Sequence, residues 1–151
     1  MSAVLYIDSS FLLAILLAES NRQKHIQAWN SAAHRLGSIL LEAECMVTLR
    51  RSHRNSSGRL PSEWLEVKEA QMKELLDEVS QKVIDSPVIQ HIRNRPELSE
   101  CRTLDALHLA TALEFGKHSS APITICSLDK SMRRLSEKLG FAVFPEEGEE
   151  L

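Results

Sequence analysis

The chain has 151 residues, which is long enough for one domain with a sizeable core. Hydrophobic residues make up 43% and charged residues 26%, a balance that argues against a disordered or a membrane-embedded chain. The net charge of −3 does not indicate nucleic-acid binding by itself, but four glutamates crowd the last six positions. Without them the chain carries about +1, so any basic surface must be local.

Short apolar segments alternate with helical patterns along the chain. Strands are predicted at residues 3–7, 82–85, 122–126 and 141–144, and residues 37–40 fit either a short strand or the lead-in to a helix. Helices are predicted at 11–19, 21–33, 41–53, 62–81, 87–95, 103–116 and 129–139. This alternation is typical of an α/β domain with a mainly parallel sheet.

The remaining general features fit a cytoplasmic protein. Cys45, Cys101 and Cys126 have no C-x-x-C spacing, so we expect reduced cysteines in or near the core. We expect no signal peptide, and the longest apolar run, residues 11–18, is too short to cross a membrane. Residues 1–145 are predicted to form the domain, and residues 146–151 a disordered acidic tail.

Four carboxylates lie where strands give way to helices. Asp8 ends the first strand, Asp129 follows the strand at 122–126, and Asp105 begins the helix before that strand. Glu44 lies near the start of the helix at 41–53. It is preferred to Glu42 as the fourth acid because it shares a helix face with Leu40, Val47 and Arg51. Ligand sites of parallel sheets gather at the carboxyl ends of their strands.

Each acid also has an ordinary structural interpretation. Asp8 and Asp129 fit helix N-caps, Asp105 fits a residue that complements the helix dipole behind a Thr103 cap, and Glu44 fits a solvated surface residue. Taken together, these interpretations weaken, because carboxylates that converge repel one another unless a cation lies between them. An all-carboxylate site suits Mg²⁺ or Mn²⁺ rather than zinc.

Four segments, in order along nearly the whole chain, resemble the PIN domain family, and most closely its VapC-type toxin ribonucleases. They are LYIDSSFLLAILL, SILLEAECMVTLRR, LDALHLATAL and SLDKSMRRLSEKLGF. Asp8 matches the family's first acid, and Ser38, Leu40 and Glu44 match its S-x-L-x-x-x-E pattern. Asp105 matches the acid of L-D-A-x-H-L-A, and Ser127-Leu128-Asp129 matches T-x-D, with serine in place of threonine.

The resemblance implies a three-layer α/β/α fold and an Mg²⁺- or Mn²⁺-dependent endoribonuclease that belongs to a type II toxin–antitoxin pair. Asp8, Asp105 and Asp129 would be metal ligands, and Glu44 a ligand or a base. Ser127 would orient Asp129. The partners implied are an RNA substrate, a cognate antitoxin and a second copy of the chain, with no membrane.

The roles of three neighbouring groups stay open at this point. Ser9 fits either a hydrogen-bond partner of a ligand carboxylate or phosphate, or an ordinary first-turn residue. His108 lies three residues after Asp105, on the same helix face, but its apolar surroundings favour a packed histidine bonded to backbone over a general base. Leu104, Leu107 and Leu109 are predicted to face the core, and Leu107 and Leu109 to hold Asp105 rigid.

Positive charge near the acids would be needed to bind RNA. The predicted contacts to phosphate are Arg50, Arg51, Arg54, Arg59, Lys130 and Arg133. Each of the two clusters also fits a solvated surface. The helix at 62–81 fits either a partner-binding surface or core packing.

Competing functions are an inactive PIN-like module that binds RNA or protein, a phosphatase or receiver domain, and a DNA nuclease. The module is disfavoured because all four acid positions are filled. A phosphatase of this type would need an acid where Ser10 stands.

Overall fold

Five parallel strands form a single sheet in the computed structural model, which describes residues 3–146. The strand order is β3-β2-β1-β4-β5. Every neighbouring pair is parallel, as the sequence predicted. The strands are β1 (Val4–Ile7), β2 (His34–Ser38), β3 (Ser80–Lys82), β4 (Ile123–Cys126) and β5 (Ala142–Phe144).

Helices cover both faces of this sheet. They are α1 (Ser9–Leu16), α2 (Arg22–Ser31), α3 (Leu40–Arg54), α4 (Ser62–Leu76), α5 (Ser86–Asn94), α6 (Thr103–Lys117) and α7 (Lys130–Lys138), with a short 3₁₀ helix at Pro96–Glu100. The three-layer α/β/α fold is therefore confirmed. Among residues 3–146, no helix is both long and apolar enough to cross a membrane.

The central strand β1 is buried on both sides, and its alternating side chains enter two separate cores. Leu5 and Ile7 pack in the core beneath α1 to α4, together with the buried Trp29. Val4 and Tyr6 pack in the core beneath α5 to α7. The order of strands explains this division, because right-handed crossovers in opposite directions along a sheet place their helices on opposite faces.

The cysteines and the apolar faces of α4 and α6 differ in how deeply they are buried. Cys45 and Cys126 are buried free thiols, and Cys101 is partly buried. Met72 and Leu76 of α4 lie in the core, which favours core packing for that helix stripe. Leu104 was predicted to be buried, which is wrong: 47% of it is exposed, and the buried residues of α6 begin at Ala106.

Three elements on one side of the sheet differ in their bounds from the sequence prediction. The helix predicted to reach residue 81 ends at Leu76, and the strand that follows is Ser80–Lys82 rather than residues 82–85. The strand β2 begins at His34, three residues before the predicted segment. These strands are polar and short, so hydrophobic patterning does not reveal them; pairing between Leu36 and Ser80 defines their register.

His25 of α2 leads to a prediction about acid stability. Its ring is 1% exposed, packs against Phe11 and Phe144, and neither ring nitrogen has a hydrogen-bond partner among the described residues. Burial lowers the pKa of His25, although Glu19 opposes this shift. The unfolded chain therefore binds a proton that the folded chain does not, and stability should fall as the pH drops below about 6.5.

The variant His25→Phe should remove this loss on the acid side. Urea unfolding between about pH 7.5 and 5.5 should show that the wild type loses roughly 1 kcal/mol more than the variant. Comparing the two proteins cancels the contributions of the other histidines. Parallel curves of stability against pH would contradict the assignment.

Candidate active site

The four acids predicted from the sequence lie near the point in the sheet at which the order of strand addition reverses. From β1 the chain builds outward to β2 and β3, and it then crosses back to add β4 and β5 on the other side of β1. Helices on opposite faces therefore leave the carboxyl ends of β1 and β4, and the gap between them is the usual ligand crevice of such sheets. Asp8 follows β1, and Asp129 follows β4 by three residues.

Asp8 is held in place as a buried hydrogen-bond acceptor. It is 4% exposed, and its backbone N–H donates to the Cys126 carbonyl, which continues the pairing between β1 and β4. The Ser10 and Ser127 hydroxyls donate to Oδ2 at 2.8 and 2.7 Å. Asp8 occupies the N-cap position of α1, but its side chain makes no capping bond. The capping interpretation therefore does not explain why an acid is present.

Ser127 connects two of the acids. Its hydroxyl donates to Asp8 and accepts from the Asp129 backbone N–H at 3.1 Å. The Asp129 side chain does act as an N-cap, because its Oδ1 accepts from the Met132 N–H at 2.9 Å. This bond orients the carboxylate, whose second oxygen is not used by the cap. Capping and ligand binding are thus compatible at Asp129.

Asp105 lies in the first turn of α6, and the charges of Asp8 and Asp129 act on its carboxyl group. Its pKa is raised, first by burial and then by the negative charges of Asp129 and Asp8. The Arg102 guanidinium opposes this from 3.8 Å, but Arg102 is largely exposed. The predicted Thr103 cap is absent, since Arg102 occupies the N-cap position and makes no side-chain capping bond. The repulsion expected among these carboxylates is therefore present at Asp105.

Glu44 joins the site through His108. The Glu44 carboxylate is hydrogen-bonded to His108 Nε2, and His108 Nδ1 lies 2.9 Å from the Tyr6 hydroxyl. Because a carboxylate only accepts, Nε2 carries a proton. Burial lowers the pKa of His108, whereas the bond to Glu44 and the charges of Asp8, Glu44 and Asp105 raise it. The raising effects are together larger, so the pKa of His108 is raised overall.

Two sequence interpretations change as a result. His108 was predicted to bond to backbone, but it bridges two side chains instead. Glu44 is not a solvated surface residue; it is half-buried, whereas Glu42 is exposed. The pairing joins residues 64 positions apart, so only the tertiary structure reveals it.

The donor chemistry of these acids suits a hard divalent cation, but their side chains do not form a closed set of ligands. Within residues 3–146, no three Asp, Glu, His or Cys side chains are arranged so that they could hold a metal ion. The carboxylates of Asp8, Asp129 and Glu44 are instead bonded to protein donors. The oxygen-only donors and the mutual repulsion at Asp105 fit Mg²⁺ or Mn²⁺ in kind.

Ser10 is a site residue that the sequence analysis missed. Its hydroxyl donates to Asp8, lies 3.4 Å from the Ser127 hydroxyl and accepts from the Leu128 N–H. This role was one of the two open interpretations of Ser9, but the hydrogen bonds to the Asp8 carboxylate come from Ser10 and Ser127. The two consecutive serines after Asp8 were the sequence signal for a hydroxyl donor. The pattern alone does not tell which of the two hydroxyls reaches the Asp8 carboxylate.

The predicted RNA contacts separate into different environments. Arg51, Arg54, Arg59 and Lys130 are exposed. Arg50 is also exposed, but its Nε donates to Glu69 Oε1 at 2.7 Å. Arg133 is 6% exposed, and its guanidinium donates to the carbonyls of Ser127 and Pro145. Arg133 therefore joins the backbone segments that follow β4 and β5, and its contact with RNA stays a prediction.

Comparison with known proteins assigns the family. A model of the PIN domain matches residues 5–138, which is most of the chain. The chain therefore belongs to the PIN domain family. A search of curated proteins gave no significant match. The acidic tail predicted at 146–151 lies, apart from Glu146, outside the described residues.

Solved structures share this fold at low sequence identity. FitAcB from Neisseria gonorrhoeae has a TM-score of 0.65 and 16% identity, over 93% of this chain and 96% of that chain. VapBC2 from Rickettsia felis, bound to a promoter DNA fragment, has a TM-score of 0.64 and 9% identity, over 93% of this chain and 96% of that chain. A toxin–antitoxin complex from Klebsiella pneumoniae has a TM-score of 0.59 and 18% identity, over 87% of this chain and 90% of that chain.

Proposed function

We propose that this protein is a metal-dependent endoribonuclease that hydrolyses RNA phosphodiester bonds. The observation that carries the proposal is a set of four carboxylates in a chain of the PIN domain family: Asp8 and Asp129 follow β1 and β4, and Asp105 and Glu44 lie on the helices α6 and α3. Burial, together with the charges of Asp129 and Asp8, raises the pKa of Asp105, which is the direction expected for a carboxylate held near others. A function that needs several oxygen ligands explains why they are present.

In this mechanism Asp8, Asp105 and Asp129 would hold Mg²⁺ or Mn²⁺, with Glu44 as a further ligand or a base. A bound divalent cation lowers the pKa of water and stabilises charge on the leaving oxygen. Ser10 and Ser127 orient the Asp8 carboxylate through their hydroxyls. His108, which lies on α6, plays the same part for Glu44 on α3.

Exposed cations on two sides of the crevice are the proposed contacts to RNA. Arg51, Arg54 and Arg59 lie at and beyond the end of α3, and Lys130 follows Asp129 directly. Such side chains contact phosphates without selecting a sequence. They would also offset the repulsion between the acids and the RNA backbone.

A cleavage assay with a matched pair of variants tests the enzyme. The wild type should cut single-stranded RNA with Mg²⁺ or Mn²⁺ and stop when a chelator is added. Glu44→Gln should lower the rate by about a hundredfold or more, because it removes a charged group of the site, whereas Glu42→Gln on the same helix should keep it. Single-stranded DNA serves as the second substrate.

Cleavage that resists the chelator, or equal effects of the two glutamine variants, would contradict the proposed site. Absence of cleavage with every cation would favour the inactive binding module instead. Faster cleavage of DNA than of RNA would keep the metal chemistry and change the substrate.

We also propose that the protein is the toxin of a type II toxin–antitoxin pair, that it acts in the cytoplasm and that it forms a homodimer. Support comes from the fold, which it shares with the toxin–antitoxin structures above. Expression of the wild type should arrest growth, and co-expression of the cognate antitoxin should relieve the arrest. Arrest by a variant without cleavage activity would contradict the toxin role.

A further inference from the structure

We propose that an open pocket at the C-terminal end of α3 binds a phosphate of the RNA substrate other than the one that is cleaved. This inference rests on the proposed ribonuclease function and adds a subsite to it. The pocket has a volume of about 620 Å³. Its lining residues are Thr48, Arg51, Ser52, Asn55, Ser56, Arg59 and Leu60.

The lining has the chemistry of an oxyanion site. It combines two guanidinium groups with hydroxyl and amide side chains, and no carboxylate lies among the lining residues. Guanidinium groups bind phosphate oxygens through charge-assisted, often paired hydrogen bonds. The two guanidinium groups therefore suit an anionic group such as an RNA phosphate.

The pocket lies on the same face of α3 as the acid site. Thr48, Arg51 and Asn55 follow Glu44 by four, seven and eleven residues, so the four side chains form one row along the helix. Arg51 is about 10 Å from Glu44 along the helix axis, given a rise of 1.5 Å per residue. An RNA strand whose scissile phosphate lies at the acids would reach the pocket with another phosphate.

The two arginines of the pocket are available and partly organised. Among the described residues, the Arg51 guanidinium has no hydrogen-bond or ion-pair partner, in contrast to its neighbour Arg50, which is paired with Glu69. Arg59 Nε donates to the Ser56 carbonyl at 2.9 Å, which leaves its terminal nitrogens for a ligand.

Ser56 in turn holds the loop that carries Arg59. Its hydroxyl donates to the His53 carbonyl and accepts from the Leu60 N–H, and its side chain is buried. The pocket therefore has a defined wall before RNA arrives. This organisation lowers the entropy cost of binding.

The test measures RNA binding as a function of salt. All proteins carry Asp8→Asn so that the RNA stays intact, and the probe is a fluorescein-labelled single-stranded RNA of about twelve nucleotides. Arg51→Ala and Arg59→Ala should each weaken binding by about tenfold. Each should also reduce the slope of log K against log salt by about 0.7, as expected for one lost phosphate contact on a single strand.

One further arginine separates the pocket from general electrostatics. Arg93→Ala, on the exposed side of α5, removes the same charge elsewhere and should change binding by less than about twofold. A loss with Arg93→Ala as large as the loss with Arg51→Ala would overturn the proposal.

Other outcomes separate this proposal from the proposed function. If the wild type cleaves RNA but Arg51→Ala binds like Arg93→Ala, the subsite is wrong and the ribonuclease stands. If the wild type neither cuts nor binds RNA, both fail. If labelled polyglutamate binds in an Arg51-dependent way and RNA does not, the pocket takes an acidic protein segment and the RNA assignment is overturned.

Discussion

Replacing Asp8 by asparagine should reduce RNA cleavage by at least about a thousandfold while the protein stays folded. The variant loses one charged oxygen donor at the centre of the site, and a bound cation contributes several kcal/mol to such reactions, with each 1.36 kcal/mol worth a factor of ten. The measurement is the single-turnover cleavage rate with saturating Mn²⁺. Asp77→Asn, an exposed residue at the end of α4, is the matched control and should cleave at the wild-type rate.

The same variant should be at least as stable as the wild type in buffer without divalent cations. The asparagine side-chain oxygen can still accept from the Ser10 and Ser127 hydroxyls, and the negative charge that raises the pKa of Asp105 disappears. Urea unfolding measures this directly. A destabilised Asp8→Asn protein, or one that cleaves like Asp77→Asn, would show that Asp8 is a structural residue instead.

The second large effect is expected at His108. Replacing it by alanine should lower the free energy of unfolding by roughly 2–4 kcal/mol, because the change opens a cavity and removes a buried partner of Tyr6. It should also lower kcat by about 10- to 100-fold with little change in KM, because Glu44 loses the group that orients it. Chemical unfolding and steady-state cleavage measure the two effects separately.

Two further variants define the role of His108. His108→Gln can still donate to Glu44 and accept from Tyr6, so it should recover part of the cleavage rate. His118→Ala, an exposed histidine on the same helix, should leave kcat unchanged. A His108→Ala protein that loses stability but keeps the wild-type kcat would show that the histidine serves packing alone.

The sequence predicted the acids because their positions follow from the physics of parallel sheets. Asp8 comes directly after a fully apolar strand, and Asp129 follows the apolar run at 122–126, so both lie at the carboxyl edge of one sheet. Asp105 was recognisable as an acid that opens a core helix. The predicted strands alternate with helices clearly, and the fold class followed from this alternation and the family resemblance.

Side-chain direction and long-range pairing were beyond the sequence. Ser9 and Ser10 are adjacent serines, and it is the Ser10 hydroxyl that donates to the Asp8 carboxylate, a choice that the sequence pattern does not encode. Arginine is usually an exposed residue type, yet the Arg133 guanidinium donates to two backbone carbonyls, those of Ser127 and Pro145. The contact between Glu44 and His108 depends on how α3 and α6 approach each other, which no local pattern specifies.

The central claim is that these carboxylates hold a divalent cation in one crevice, and anomalous diffraction from crystals soaked in Mn²⁺ tests it most directly. We expect an anomalous peak within coordinating distance, about 2.0–2.3 Å, of oxygens from Asp8, Asp105 and Asp129, with these side chains turned from their present partners. The peak should be absent in Asp8→Asn crystals. No peak at a Mn²⁺ concentration that supports cleavage, or a peak away from these residues, would contradict the claim.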